Sequence, residues 1–154
     1  MPRVAVLMPA RDAAGPVRAA VLSLLRQDFR DLSLVAVDDG SRDGTGAILA
    51  ALAARDRRVV LVPGSGEGIA GALNRGLARC DAEVVVRMDA DDVAHPRRVG
   101  RQLEALDADP ALAAVGSRVR LFPRREVAGG GPAGGTGSDM ARAGEARGEA
   151  DAAA

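Results

Sequence analysis

The sequence predicts a three-layer α/β domain built on a mainly parallel sheet. Three observations lead there. Short apolar runs alternate strictly with helical patterns from residue 1 to about residue 123. The runs are apolar on both faces, as in a sheet covered by helices on each side. Four of them end in clusters of Asp, Gly or Pro, the place where ligands gather beyond the carboxyl ends of parallel strands.

The first run, Val4-Ala5-Val6-Leu7-Met8, predicts a buried strand that ends at Pro9. Gly15-Pro16 then opens a helix, with Val17, Val21, Leu24 and Leu25 on one face. Leu32 to Val37 predicts a second strand running into Asp38-Asp39-Gly40-Ser41. The helix after it carries Ile48, Leu49 and Leu52. Val59 to Val62 predicts a third strand closed by Pro63-Gly64. Gly66 to Gly68 lead into a helix expected to pack through Ile69, Leu73 and Leu77. Val84 to Met88 predicts a fourth strand, ending at Asp89. Pro96 opens a helix with Val99, Leu103 and Leu106, and Ala113 to Leu121 predicts a last strand closing near Phe122-Pro123. Residues 124–154 break the pattern. In that stretch 17 of 31 residues are Gly or Ala, too little apolar surface to offset the entropy of ordering, so a disordered tail is expected.

Composition removes several classes of function. Basic and acidic residues balance at 21 each, which argues against a nucleic-acid binder working by bulk charge. All 21 basic residues are Arg, and the scarcity of Lys, Asn, Ile and aromatics points to coding DNA rich in G and C. One cysteine, Cys80, cannot form an internal disulfide, and no Cys/His cluster has zinc spacing. No signal peptide pattern and no apolar stretch of about 20 residues is present, so a cytoplasmic protein without a transmembrane segment is expected.

Chemistry is expected at the strand ends. Asp89-Ala90-Asp91-Asp92 places three carboxylates within four residues. Two carboxylates at about 4 Å repel by about 4 kcal/mol at an effective dielectric of about 20. A divalent cation relieves that, and oxygen-only ligands suit Mg²⁺ or Mn²⁺. The alternative is a solvated acidic turn capping the next helix. Asp38-Asp39-Gly40-Ser41 offers carboxylates to a base N–H or a ribose hydroxyl; equally it is a turn with Ser41, Asp43 or Thr45 as helix cap. Gly64, Gly66 and Gly68 precede a helix whose first N–H groups can face an anion, or form a flexible turn. Arg11 can neutralise phosphate or be an ordinary surface charge. The dinucleotide fingerprint is absent, since Pro9-Ala10-Arg11-Asp12 follows the first strand without glycine. A phospho-acceptor receiver domain is excluded by the lack of any Lys.

Taken jointly, these segments resemble the family 2 glycosyltransferases, which have the GT-A fold. The likeness lies in Val4 to Asp12, Ser23 to Phe29, Val37 to Thr45, Gly68 to Gly76, and Arg87 to Asp92 followed by Pro96 to Val99. The resemblance implies a nucleotide-sugar donor, usually uridine-linked, with Mg²⁺ or Mn²⁺ stabilising the departing diphosphate and transfer proceeding with inversion. By position it implies that Pro9 and Arg11 line the base pocket, Asp39 accepts from the base and Asp38 supports the turn. It places Gly68 near the nucleotide, Asp89 near the ribose, and Asp91 with Asp92 at the metal. Arg11-Asp12 departs from the Tyr-Asn that the family often has there, so the stacking ring of that motif is missing at this position. The acceptor (a glycan, lipid or cell-envelope precursor, with peripheral membrane contact allowed) is not indicated, and no general base is assignable. The expectation is a donor-binding region at 1–123, incomplete at its C-terminus, whose acceptor half is missing. The alternative is a truncated or frameshifted fragment acting at most as a nucleotide-binding module.

Overall fold

The runs Val4 to Met8 and Leu32 to Val37 are buried on both faces, whereas Val60 and Val85 of the two outer runs are exposed. The structure is a computed structural model and describes residues 1–121. Its elements alternate as β1 (Val4–Ala10), α1 (Val17–Leu25), β2 (Leu32–Asp38), α2 (Thr45–Ala53), β3 (Val59–Pro63), α3 (Gly68–Leu77), β4 (Val84–Arg87) and α4 (Arg98–Ala108). All strand pairs are parallel, in the order β3-β2-β1-β4. Met1–Val119 form one compact unit. The expected tail at 124–154 and the Phe122-Pro123 close lie outside the described residues.

Alternation along each strand divides the core into two. Val4, Val6 and Met8 of β1 and Leu34 and Ala36 of β2 point to one face, packed by Val21 and Leu24 of α1, Leu49 of α2 and Val99 and Leu103 of α4. Leu7, Val35, Val37 and Val62 point to the other, covered by Ala72 of α3. The result is three layers, with three helices on one side and one on the other.

Three expectations need correction. Pro9 does not end the first strand but sits inside β1. The N–H of Met88 donates to the Leu7 carbonyl, so Leu7, and two residues on Pro9, face the β4 side. The last pair there is Leu7 with Arg87, so at Pro9 no ladder bond is lost. Next, of Ile69, Leu73 and Leu77 only Leu73 packs α3 against the core. Ile69 and Leu77 are exposed, Leu73 is half-buried, and Ala72 and Gly76 are the buried residues. Small residues win because the helix lies close on the sheet. A Cβ on Gly76 would collide with Leu7 and stand 2.7 Å from the Val37 Cγ2. Finally, Ala113 to Leu121 forms no strand. Among the described residues its backbone finds no strand to pair with, and its residues are exposed except half-buried Val115.

The Gly76 contact gives a direct expectation. Gly76→Ala should lower stability by about 1–2 kcal/mol, because overpacking against Leu7 and Val37 exceeds the gain in helix propensity. A urea unfolding curve should show an earlier midpoint with an unchanged slope. An unaltered midpoint would mean that Leu7 and Val37 repack freely.

Candidate functional site

The four expected clusters do meet at one end of the sheet, the carboxyl end of the strands. Pro9, Arg11, Asp39, Gly68, Asp89 and Asp91 line a single cleft of about 270 Å³, together with Ala10, Ala13, Ile69, Ala72 and Ala90. That volume is close to the lower end of the range usual for ligand sites. Asp38 and Asp92 are not in its lining. Asp38 faces its own turn, where its Oδ1 accepts the Ser41 N–H at 3.1 Å and its carbonyl accepts the N–H of Gly40 and of Gly64. Asp92 lines a separate groove beside β4.

Asp39 has the most constrained carboxylate of the cleft. It is buried, and its Oδ1 accepts the N–H groups of Gly66 at 2.9 Å and Glu67 at 3.0 Å. Its Oδ2 accepts the N–H of Gly68 at 2.9 Å, with Arg11 Nη1 at 3.6 Å. The anion that the glycine loop faces is therefore the chain's own Asp39. Three successive N–H groups turn toward one point because Gly66 and Gly68 take φ of 78° and 79°, a region costly for residues with a Cβ. Of the acceptor positions on Asp39, those left for a ligand are on Oδ2, beside Arg11.

The loop after β1 is laced to the turn after β2. The N–H of Asp12 donates to Ser41 Oγ, that of Ala13 to Thr45 Oγ1 and that of Ala14 to Asp43 Oδ2, while Arg42 N–H donates to Asp12 Oδ1. Asp12 has φ of 47°, a left-handed conformation that Asp and Asn tolerate better than most residues. Asp12 thus fills the backbone role of an Asn. Of the three expected caps, Asp43 takes the Thr45 N–H, although Gly44 occupies the N-cap position itself. The Thr45 hydroxyl, then the N–H groups of Ala14 and Thr45, hold the Asp43 carboxyl below its usual range. On the rim, the Ser65 hydroxyl and Arg75 do the same for Glu67.

Asp89 and Asp91 follow β4. Asp89 is half-exposed and ion-paired with Arg87 at 2.6 Å; Asp91 is exposed at the cleft. Among the described residues no three His, Cys, Asp or Glu side chains converge as a metal cluster. One cleft carboxylate fits Mg²⁺ or Mn²⁺ only when substrate phosphates and water complete the shell, which is how Mg²⁺ is commonly held.

Sequence reasoning missed what positions this acidic loop. Gln27 is fully buried, and its amide Nε2 donates to the carbonyls of Ser23 at 3.2 Å and His95 at 2.8 Å. Its Oε1 accepts the Val99 N–H at 3.0 Å. Ser23 Oγ accepts the N–H of Ala94. The end of α1 therefore holds the segment between the acidic loop and α4. The one available signal was a polar residue, Gln27, straight after an apolar helix face.

A parallel sheet in the order β3-β2-β1-β4, helices on both faces and an acidic cleft at the carboxyl ends define a Rossmann-like α/β domain of the GT-A class. Its family is equally plain. The sequence model of Glycosyl transferase family 2 matches residues 5–129, and the chain belongs to that family. It is 32% identical to the succinoglycan biosynthesis protein ExoO of Rhizobium meliloti, over 83% of this chain and 39% of that protein. An uncharacterized glycosyltransferase of Haemophilus influenzae is 27% identical, over 81% of this chain and 39% of the relative. Among solved structures, the mannosyltransferase PcManGT of Pyrobaculum calidifontis, in complex with GDP-Man and Mn²⁺, superposes with a TM-score of 0.67. It shares 30% identity over 72% of this chain and 34% of its own. TarS 1–349 of S. aureus with UDP-GlcNAc gives 0.63 at 22% identity, over 69% and 31%. The chain spans well under half the length of these proteins. No helix among the described residues is long and apolar enough to cross a membrane.

Proposed function

We propose that the cleft binds a nucleotide-diphosphate sugar, uridine-linked, and that the domain serves transfer of the sugar to an acceptor with inversion. The carrying observation is that Pro9, Arg11, Asp39, Gly68, Asp89 and Asp91 line one cleft at the strand ends. Membership of the family and the nucleotide-sugar complexes of the similar structures support the reading. Asp39, held by the glycine loop, offers Oδ2 to a base N–H, and a single free acceptor suits uracil. Arg11, 3.6 Å from that carboxylate, supplies positive charge. Asp89 accepts from the ribose once it leaves Arg87, and Asp91 is the residue that would hold a divalent cation. When bound, such a cation stabilises negative charge on the leaving diphosphate as a Lewis acid.

Calorimetric titration with uridine diphosphate, with and without Mn²⁺, tests this. Metal-dependent binding is expected, and Asp91→Ala should weaken it about tenfold or more, as loss of a carboxylate ligand and its charge implies. Equal binding of uridine and guanosine diphosphates would refute the base assignment, and metal-independent binding the role of Asp91.

A second reading, a nucleotide-binding module without transfer, is favoured by the cleft's own side chains. Among the described residues its lining carboxylates are Asp39, Asp89 and Asp91, all taken by donor roles, so none of the three is left to act as general base. A turnover assay with several donors and Mn²⁺ separates the two: sugar transfer or donor hydrolysis supports the enzyme, and binding with neither supports the module.

A further inference from the structure

One stripe of α3 changes in size along its length. Ile69, Ala72 and Gly76 stand at i, i+3 and i+7, so they share one face of the helix. Gly76 lies directly on Leu7 and Val37, and Ala72 is buried over the same face of the sheet. Toward the N-terminus the stripe continues into Ile69, where the sheet ends and the cleft begins. Ile69 lines that cleft with Ala72 and Pro9 and, among the described residues, belongs to neither core cluster. Small residues let the helix rest on the sheet, and a large one follows where no strand lies beneath.

The first turn of α3 is fixed from two directions. The N–H of Gly68, next to Ile69, donates to Asp39 Oδ2 at 2.9 Å. Glu67 lays its side chain over Gly71, where a Cβ would collide with it, and its Oε1 meets Arg75 Nη2 at 2.6 Å and the Ser65 hydroxyl at 2.7 Å. The oxygen that takes the Gly68 N–H is also the one left for a ligand's N–H. A planar ring bonded at that oxygen therefore lies beside the start of α3. The faces of such a ring are apolar and call for a wall that demands no hydrogen bond. None of the cleft-lining side chains is aromatic, and Ile69 is the largest aliphatic one. Arg11, Asp89 and Asp91 are charged and suit the edge of the base, the ribose and the phosphates instead.

We infer that Ile69 packs against the flat face of the donor's base, while Asp39 reads the edge of the same ring. The inference rests on the nucleotide-sugar reading of the cleft and adds to it the residue that takes the ring. Apolar surface then supplies affinity and one carboxylate oxygen supplies orientation, the usual division of work in a small-molecule pocket.

Calorimetric titration of the full chain with uridine diphosphate and with pyrophosphate, both with Mn²⁺, tests the packing. Ile69→Ala should weaken uridine diphosphate binding about tenfold, the scale of one lost aliphatic contact, and leave pyrophosphate binding unchanged. The urea midpoint should not fall, since Ile69 is in neither core cluster and alanine is the better helix former. The sequence has no Trp and no Tyr, so Ile69→Trp introduces a single indole. Its emission should change saturably with uridine diphosphate and stay constant with pyrophosphate. A wild-type chain that binds no uridine diphosphate overturns the nucleotide reading and this inference with it. Where wild-type binding holds, three results overturn the inference alone. Ile69→Ala binds as tightly as wild type, it loses uridine diphosphate and pyrophosphate alike, or the indole stays silent while calorimetry shows uridine diphosphate bound.

Discussion

Asp39→Ala should lower stability by about 3 kcal/mol and abolish uridine diphosphate binding. The carboxylate accepts three backbone N–H bonds at 2.9–3.0 Å and is itself buried. Hydrogen bonds to a charged partner contribute about 1.5–3 kcal/mol each, and a buried donor left unpaired costs about 1–3 kcal/mol. The three bonds share one anion and part of the loop is exposed, so their sum overstates the loss, and about 3 kcal/mol is the scale to expect. Without the anion, Gly66 and Gly68 have nothing to hold their left-handed conformation. Asp39→Asn keeps one carbonyl oxygen for Gly66 and Glu67 but turns an NH₂ toward Gly68, so it should recover part of the stability and none of the base binding. Urea unfolding and calorimetry on the two variants read the two effects separately. Wild-type stability in Asp39→Ala would show that water replaces Asp39 at the loop at no cost.

The same residue shows where sequence reading stops. The strands are legible because a sheet buried on both faces demands unbroken runs such as Val4 to Met8 and Leu32 to Val37. The strand-end rule then brings Pro9, Arg11, Asp39, Gly68, Asp89 and Asp91 to one cleft without any side-chain geometry. Two adjacent aspartates, though, look alike in sequence. The resemblance separates them, giving Asp38 to the turn, but only the fold shows that Asp39 crosses to a loop 27 to 29 residues away. Helical periodicity marked Ile69, Leu73 and Leu77, yet Ala72 and Gly76 meet the sheet, because close approach selects small residues that carry little hydrophobic signal. Ala113 to Leu121 has strand-like composition, but a strand forms only with a partner for its backbone, and composition does not state whether one is there.

Gln27→Leu should destabilise the fold by about 2–4 kcal/mol and weaken nucleotide binding, although Gln27 is outside the cleft lining. Leucine nearly matches the volume, so packing is kept and the loss is polar. The Val99 N–H and the His95 carbonyl both lose their partner, each at a buried or half-buried position. The cost does not stay local. Ser23 and Gln27, on and just beyond α1, hold Ala94, His95 and Val99, so together they fix the segment that leads from Asp89 and Asp91 into α4. Freed of Gln27, that segment keeps, of its bonds to α1 and the turn after it, the Ser23–Ala94 bond and the link from the Asp28 N–H to the Pro96 carbonyl. Asp89 and Asp91 then spend less time placed for a ligand, and affinity falls by the fraction of time they are misplaced. Amide hydrogen exchange should rise across residues 92–99 and stay unchanged in β1 and β2, while metal-dependent affinity drops several-fold. Exchange rising equally everywhere would mean that Gln27 supports the whole fold and not the acidic loop. An unchanged affinity with a loosened segment would mean that the donor itself orders Asp91 on binding.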